Sequence, residues 1–418
     1  MTLNKAYKVE LHPNNRQRDL FERNAAVARF SYNWGLETCI NFYKDNKKQL
    51  SYFDLHKILC SKKKTDFPWM YGVSKHSPQM ALKSVHRAFL NFYIGINKNH
   101  NVGYPKFKTK RKSKVSFSFS YDFYVTNNVI NIPKIGHVRM KEKGYVPLKN
   151  VKIKSVTVTK VSNRWFASVQ VEQVSSNKKD LPKNVLGIDV GIKSLSTCSN
   201  GQVFENSKSF IKLKKRLAHA QRIMDNKKYD KEIKRSSNNR YKAMLKVQKI
   251  HYKIRSRRLD TIHKMTSTLV RTKPRYIVIE DLNVSGMMKN HKLSGSIGDA
   301  SFYEIKRQLS YKTSWYGGIV IIADKFFPSS KTCCKCGQLK DKLGLDDRTY
   351  VCGCGNVMDR DLNAAINLEK YGIDWLESTA GLAGIKACGE SVRLVDACMD
   401  QKAVSTKQEE NMDLVMVQ

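Results

Sequence analysis

Two short apolar runs in the second half of the chain each end on a carboxylate, and this pattern restricts the possible folds more than any other feature. Asp189 closes the run that starts at Val185, and Glu280 closes the run that starts at Tyr276. Such runs are typical of buried strands that deliver their last side chain to the edge of a sheet. Helix-type segments separate the runs, so the sequence predicts an α/β fold from residue 181 onward.

A third carboxylate, Asp361, opens the helical segment DLNAAINLEK. Taken alone, it reads as the N-terminal cap of that helix. Taken with Asp189 and Glu280 it favours another reading, because three converging acids need cations between them. Such oxygen ligands suit Mg²⁺, and two of these ions can activate a water and stabilise the leaving oxygen in phosphodiester hydrolysis. The three acids and the alternating elements predict an RNase H-like nuclease.

Two acids and an arginine flank these three positions. Asp281 directly follows Glu280. It is expected on the opposite face of the strand, in a structural role. Asp359 is predicted to support Asp361 from close by, and Arg360 is predicted to reach the scissile phosphate.

Five of the ten cysteines fall within 22 residues near the C-terminal end. Cys333 and Cys336 form one knuckle, and Cys352 and Cys354 form a second after 15 intervening residues. Four thiolates on two knuckles predict a closed, structural Zn²⁺ site. The second knuckle has one spacer residue instead of two, and Cys334 adjoins the first, so the identity of the binding sulfurs stays open. Free buried cysteines are the alternative.

The chain carries a formal charge of +40, from 76 Lys and Arg against 36 Asp and Glu in 418 residues. Residues 206–260, predicted to be one helical stretch, hold 19 basic and 4 acidic residues. This imbalance excludes a small-ligand domain with an ordinary balanced surface and indicates a polyanionic partner. No run approaches the roughly 18 apolar residues of a membrane span, and the first residues lack the apolar core of a secretion signal. Nucleic acid is therefore favoured over membrane, and a cytoplasmic location is expected.

The first 180 residues combine a strand-type pattern at 1–12, helical periodicity over 13–100 and short alternating strands over 115–172. The strands are predicted to close a small β-barrel around the helical insertion. An isolated β domain without a nucleic-acid role is the alternative. The loop between helices and strands interleaves aromatic and basic residues that can stack on bases and hold phosphates. Its candidate contacts are Lys106, Lys108, Lys110 and Arg111.

Several segments, in their order along the chain, resemble the transposon-encoded TnpB proteins (OrfB-type), which are related to compact type V CRISPR effectors. The segments are YNWGL at 32–36, GYPKFKTKR at 103–111, GIDVGIKSL at 187–195, IVIEDLNVSGM at 277–287, FPSSKTC at 327–333, DRDLNAAINL at 359–368 and IKACGE at 385–390. Together with the cysteine ribbon, they extend the resemblance over nearly the whole chain.

The resemblance implies an RNA-guided DNA endonuclease with a RuvC-like active site. It implies a guide RNA transcribed from the transposon end as one partner. Double-stranded target DNA, with a short motif beside the target, is the other. Asp189, Glu280 and Asp361 would take the metal-ligand positions, and the protein would act as a monomer with its RNA. RNA–DNA pairing would read the target while protein contacts read only the short motif.

The resemblance also implies a domain plan with a RuvC-like RNase H domain, an inserted zinc ribbon and an N-terminal wedge barrel that carries a helical recognition insertion. The predicted parts are the wedge barrel at 1–12 and 101–180, the recognition domain at 13–100, the nuclease at 181–326 and 359–374, the ribbon at 327–358 and an acidic, flexible tail at 375–418.

Four further residues are candidates for contacting the short motif by the same resemblance. Gln79 lies nine residues before Ala88 and matches a motif-reading glutamine; packing within a helix is the alternative reading. The other candidates are Tyr52, Ser118 and Tyr121. Two rival functions stay open. One is an RNA-guided transcriptional regulator without cutting activity, although such relatives lose active-site acids. The other is an RNase H-like DNA transposase, which needs no RNA.

Overall fold

The computed structural model describes residues 2–98, 101–110, 112–174, 184–230, 235–344 and 347–381. By its internal contacts the chain divides into two units, residues 1–176 and 177–418. The division falls beside the domain boundary predicted at residue 180. Arg111 and the last 37 residues of the predicted tail lie outside the described residues. No helix in the described part is long and apolar enough to cross a membrane.

Seven strands of the first unit form one antiparallel sheet in the order β2-β6-β7-β1-β5-β4-β3. The strands are β1 (Thr2–His12), β2 (Ser116–Phe119), β3 (Tyr124–Val125), β4 (Val129–Ile132), β5 (Gly136–Met140), β6 (Val151–Val161) and β7 (Arg164–Val174). Their alternating buried residues, such as Val156 and Val158, form a common core. Among the described residues no ladder joins the edge strands β2 and β3, so closure into a barrel stays a prediction.

Three helices and a 3₁₀ turn lie between β1 and β2 in the chain. They are α1 (Asn15–Asn46), α2 (Tyr52–Thr65), the turn Pro68–Gly72 and α3 (His76–Asn97). Asn14 and Gln17 form a capping box that starts α1. Helix α1 packs Phe21 into the core of the sheet and Val27 into a second core shared with α2 and α3. The sequence predicted this order of strand, helices and strands.

The second unit is built on a five-stranded mixed sheet in the order β10-β9-β8-β13-β14. These strands are β8 (Val185–Asp189), β9 (Ser194–Cys198), β10 (Val203–Glu205), β13 (Tyr276–Glu280) and β14 (Ile319–Ala323). Strands β8, β13 and β14 run parallel, whereas β9 and β10 are antiparallel to their neighbours. Helices lie in the chain between β10 and β13 and between β13 and β14, so the α/β class predicted from residue 181 onward is confirmed.

The basic segment predicted as one helical stretch consists of two helices. A pair of two-residue strands, β11 (Tyr229–Asp230) and β12 (Arg235–Ser236), lies between them. The second helix starts after Ser237, whose hydroxyl oxygen accepts a hydrogen bond from the Arg240 amide. The helices of this unit are α4 (Ser209–Asp225), α5 (Asn238–Arg271), α6 (Val284–Met287), α7 (Ser294–Ala300), α8 (Phe302–Trp315) and α9 (Arg360–Gly381).

Alternation along the parallel strands gives the sheet two different faces. Leu186, Ile188 and Ile279 pack against apolar residues of α5 and α8. On the other face, Val185 and Val278 pack with Leu368 and other residues of α9. Because side chains alternate between faces, the strand ends Asp189 and Glu280 lie on the α9 side.

A two-stranded ribbon, β15 (Thr349–Val351) and β16 (Val357–Asp359), comes just before α9. Helix α9 continues past the predicted end of the nuclease at residue 374, as far as Gly381. Trp375, assigned by the sequence to the acidic tail, packs against the core between the sheet and α9. An apolar contact holds this turn in the helix although the local charge pattern had suggested a tail.

Candidate active site and metal centre

Asp189 and Glu280 occupy equivalent positions at the ends of two neighbouring parallel strands. Ile188 of β8 pairs with Ile279 of β13, so the next residue on each strand is a carboxylate. Both acids project to the α9 side of the sheet, because Gly187 and Val278, two residues earlier, face that helix. The sequence identified the two strand ends, and the register brings them side by side.

Asp361 joins this pair because α9 crosses β8 at very short range. A Cβ atom at Gly187 would lie 2.0 Å from the carbonyl oxygen of Ala365, so only glycine permits this approach. Asp361 lies one helical turn before Ala365, on the same side of α9. The first turn of the helix therefore meets the end of β8, where Asp189 lies.

The three carboxylates act on one another electrostatically. The pKa of Asp189 is raised to about 8, mainly by burial and then by the negative charges of Glu280 and Asp361, against a smaller lowering by Arg360. Burial also raises the pKa of Glu280, which a hydrogen bond from Ser329 partly offsets. Among the described residues, the group whose potential metal-ligand atoms all lie within 4.8 Å of one another consists of four cysteines and does not include these acids. Acids that oppose one another's ionisation in this way fit a site for a cation.

The residues around Asp361 have separate structural tasks. Asp359 caps α9, with its Oδ1 accepting hydrogen bonds from the amides of Asp361 at 2.9 Å and Leu362 at 3.1 Å. Asp361 therefore does not need to serve as the cap, the alternative reading of that residue. Arg360, predicted to reach a phosphate, donates from Nη1 to the carbonyl oxygen of Gly344 at 2.6 Å.

Asp281 lies on the opposite side of the strand end, as expected from the alternation of side chains. Its Oδ1 is 3.1 Å from Nζ of Lys306 on α8. This ion pair joins the end of β13 to α8, so Asp281 has the structural role predicted for it.

Sequence reasoning missed three residues that connect the acids to the ribbon. Ser329 is buried and donates a hydrogen bond from its hydroxyl to Oε1 of Glu280. Asn367 on α9 donates to the carbonyl oxygen of Ser329 at 2.8 Å, and Asn363 donates to that of Thr332 at 2.7 Å. The signal was available, since two asparagines four residues apart interrupt the apolar face of DLNAAINL.

The four predicted cysteine ligands converge into one cluster. Their Sγ atoms all lie within 4.8 Å of one another, with 3.7 Å between Cys333 and Cys354 and 3.6 Å between Cys336 and Cys352. Four sulfurs at the Zn–S distance of about 2.3 Å would form a tetrahedron with edges of roughly 3.8 Å. The shortened second knuckle therefore still delivers both of its sulfurs, and the cluster fits Zn²⁺.

Cys334 takes no part in this cluster. Its Sγ is 3.4 Å from Sδ of Met358, and its amide donates to Oδ1 of Asn363 at 3.0 Å. Burial alone would raise the pKa of the Cys333 thiol. Hydrogen bonds, first from the amides of Cys336 and Lys335 and then from Asn356, outweigh this and lower it to about 6. Donors that favour a thiolate at Cys333 prepare the cluster for a metal ion.

In the first unit, three motif-contact candidates come together on the surface. The Tyr121 hydroxyl donates to Oε1 of Gln79 at 2.6 Å, and Gln79 also hydrogen-bonds to Tyr52. Tyr121 stands edge-on to the buried ring of His76, with 4.1 Å between ring centroids. Residues from α2, α3 and the loop after β2 thus form one polar, partly exposed group, which we call the Gln79 cluster (Tyr52, Gln79 and Tyr121).

The other predicted nucleic-acid contacts are distributed more widely. Ser118 lies on β2, and its hydroxyl is 2.9 Å from that of Thr157 on β6. Lys108 packs against α1, and its Nζ lies 3.5 Å from the centroid of the ring of Tyr32 on that helix. Lys106 and Lys110 are exposed. Arg111 lies outside the described residues.

Comparison with known proteins agrees with the resemblance. The chain is 34% identical over 398 residues to a Streptomyces pristinaespiralis protein named "Putative RNA-guided DNA endonuclease", covering 93% of this chain and 92% of that protein. The chain belongs to the OrfB (TnpB-like) family. InsQ of Escherichia coli, which has the same description in its name, is 31% identical and covers 93% of this chain and 94% of its own length.

Family models match three parts of this OrfB-family chain. The OrfB model of the IS605 type, described as "Probable transposase", matches residues 168–291, and a Cas12f1-like TNB domain matches 302–368. A "Helix-turn-helix domain" of OrfB matches 1–48, where the described residues form β1 followed by α1. Among solved structures, the Cas12f1 chain of a complex with sgRNA and target DNA shares the fold. Its TM-score is 0.53 at 13% identity, covering 88% of this chain and 99% of that one.

Proposed function

We propose that this OrfB-family protein is an RNA-guided DNA endonuclease associated with a transposable element. It binds a guide RNA derived from the transposon end and cleaves both strands of matched DNA. The observation that carries this function is the convergence of Asp189, Glu280 and Asp361, in which burial and neighbouring charge raise the pKa of Asp189 to about 8. The names of its full-length relatives support the same activity.

The catalytic unit is proposed to be RuvC-like, with the carboxylates of Asp189, Glu280 and Asp361 holding a pair of Mg²⁺ ions. When bound, the metal supplies an activated water and neutralises charge on the phosphodiester. The chain's own residues prepare this site. Ser329 fixes the orientation of Glu280 by its hydrogen bond, and Asp359 keeps the Asp361 carboxylate out of the helix cap. Gly187 allows α9 to bring Asp361 to the end of β8.

A structural Zn²⁺ is proposed for Cys333, Cys336, Cys352 and Cys354. The ribbon that carries them is joined by two hydrogen bonds to α9, the helix that carries Asp361. Asn363 accepts from the Cys334 amide, and Lys370 donates to the carbonyl oxygen of Cys334. A metal that fixes the four cysteines in place therefore also fixes the position of the segment that includes Ser329.

Recognition of RNA and DNA is assigned to the basic surface and to the wedge and recognition parts of the first unit. The charge of +40 suits a protein that holds nucleic acid by its backbone. The Gln79 cluster is proposed to read the short motif beside the target, because an amide and two phenols can hydrogen-bond to base edges. We expect the protein to act as a monomer with its RNA, in the cytoplasm.

The decisive experiment is cleavage of matched double-stranded DNA by the protein purified with its guide RNA. We expect cutting in Mg²⁺ and a loss of at least about a thousandfold in the Asp189→Asn variant, because a metal ligand is removed. Retained DNA binding without cutting by the parent protein would instead indicate a regulator. Cutting that needs no RNA would indicate a transposase.

The same assay tests the motif-reading role. Gln79→Ala is expected to lower cleavage beside the preferred motif by roughly tenfold or more and to relax the choice of motif, as loss of a base contact does. Thr38→Ala on α1, whose hydroxyl only donates to the carbonyl oxygen of Trp34, is the matched control. Unchanged motif preference in Gln79→Ala would show that the Gln79 cluster does not read the motif.

A further inference from the structure

A cavity of about 480 Å³ opens beside Glu280, at the sheet edge where the acids lie. Val190, which directly follows Asp189, forms part of its wall. The volume lies within the range of roughly 300–1,000 Å³ that is usual for ligand sites. None of the roles assigned above uses this space.

The walls of this cavity are mainly apolar. They come from the loop after β13 and from the first turns of α8, and the apolar lining residues are Ile279, Leu282, Val284, Phe302 and Ile305. Tyr303 also lines the cavity, and 71% of its surface is exposed. An aromatic side chain left this open beside an acid centre is available to stack on a ligand.

The single cationic lining residue is already partly neutralised. Lys306 lines the cavity, and its Nζ lies 3.1 Å from Oδ1 of Asp281. Glu280 adds a negative charge to the same wall. A phosphate would therefore be held poorly here, whereas the uncharged flat face of a nucleobase suits an apolar wall with an exposed tyrosine.

We propose that this cavity binds a base of the DNA strand that is presented to the acid centre, stacked on Tyr303. The inference rests on the proposed nuclease function and adds a binding subsite to it. The cavity lies on the α8 side of the strand ends, whereas the acids project to the α9 side, and Glu280 borders both. A DNA strand that crosses these strand ends with one base in the cavity therefore has its neighbouring part beside the carboxylates. Tyr303 thereby binds the substrate strand without taking part in the chemistry.

The test uses the full chain with its guide RNA and matched DNA, with the complex in excess so that a single turnover is observed. Tyr303→Ala is expected to slow cleavage by about ten- to a hundredfold, the usual effect of losing one base–aromatic stack. Tyr303→Phe and Tyr303→Trp, which keep the ring, are expected to stay within about threefold of the parent. Binding of target DNA, measured by gel shift, is expected to stay unchanged in all three variants.

Phe326→Ala is the matched control, since Phe326 is an exposed aromatic residue of the same unit that does not line the cavity. A second variant, Val284→Phe, enlarges a lining side chain and leaves Tyr303 unsubstituted; by filling the cavity it is expected to slow cleavage in the same way. Thermal unfolding of each variant separates this effect from a loss of folding.

A direct readout uses 2-aminopurine placed in turn at each position along the target strands, without divalent metal. Quenching at one or two positions that disappears in Tyr303→Ala supports the base subsite. Cleavage by Tyr303→Ala at the parental rate, with no position-specific quenching, overturns the subsite while the nuclease function stands. If the parent complex does not cleave, the nuclease function fails, and the fluorescence still decides whether a base occupies the cavity.

Discussion

Among single residues, the acid centre is shaped by the repulsion between its negatively charged carboxylates. Asp189 is the residue most affected, because desolvation of its partly buried carboxylate and two neighbouring carboxylates all raise its pKa. Its pKa of about 8 means that the folded protein holds a proton that the unfolded chain, with a value near 3.8, releases. Stability of the metal-free protein therefore falls as the pH rises through this window.

We expect Asp189→Asn, which has no proton to lose, to be more stable than the parent when magnesium is absent. The difference in melting temperature should grow by at least about 3 °C between roughly pH 5.5 and pH 8.5. Thermal unfolding of zinc-loaded, magnesium-free protein measures it. Added Mg²⁺ should then stabilise the parent and leave the variant unchanged. A difference that is independent of pH would contradict the pKa assigned to Asp189.

At the scale of elements, the site exists because α9 lies directly on β8. The approach is closest at Gly187, where a Cβ would meet the backbone of both Ala365 and Glu369. The ribbon is joined to the same helix through Asn363 and Asn367. One helix thus carries an acid, packs against the sheet and anchors the cysteine ribbon.

Gly187→Ala is expected to lower the free energy of unfolding by about 1–3 kcal/mol, because the new methyl group pushes α9 from β8. Displacement of Asp361 should also reduce cleavage by roughly a hundredfold. Gly72→Ala is the control, since a Cβ at Gly72 meets nothing within 4 Å. Chemical denaturation and the cleavage assay measure the two effects. Equal stability of both variants would show that α9 tolerates a side chain at this crossing.

Two cysteines that lie two residues apart in the ribbon allow a sharper test of the zinc site. Cys336→Ser should reduce bound zinc from about one per chain to a small fraction, because three thiolates leave the tetrahedron incomplete. Cys334→Ser should keep the zinc, since the Cys334 sulfur contacts Met358 instead of the cluster. Metal analysis of the purified variants decides between them. Loss of zinc in Cys334→Ser but not in Cys336→Ser would show that Cys334, and not Cys336, binds the metal.

At the scale of the whole molecule, charge determines how the chain holds its partners. Basic residues outnumber acidic ones along the chain, most strongly in the segment 206–260, and lysines such as Lys106 and Lys110 are exposed. Binding of this kind releases counterions from nucleic acid and is therefore weakened by salt.

We expect affinity for the guide RNA to fall by at least about a thousandfold between roughly 50 and 200 mM salt, as for a protein with six or more phosphate contacts. Filter binding across this range gives the slope, and the melting temperature of the free protein serves as the control for unfolding. A slope near zero would show that the charge does not serve RNA binding.

Sequence pattern alone predicted the strands that end on Asp189 and Glu280, the two cysteine knuckles and the order of strand, helices and strands in the first unit. These features are local, because strand alternation, helix periodicity and ligand spacing are set by neighbours along the chain. The division of the basic segment into α4 and α5 was missed, since both helices share one composition.

Only the tertiary structure decided which distant residues meet. The register between β8 and β13 placed two acids side by side, and the contact at Gly187 added the third. Packing also separated Cys334 from the four clustered cysteines and brought Ser329 to Glu280. It assembled the Gln79 cluster from three separate segments. Such pairings depend on contacts through space between residues far apart in the chain, which local pattern does not record.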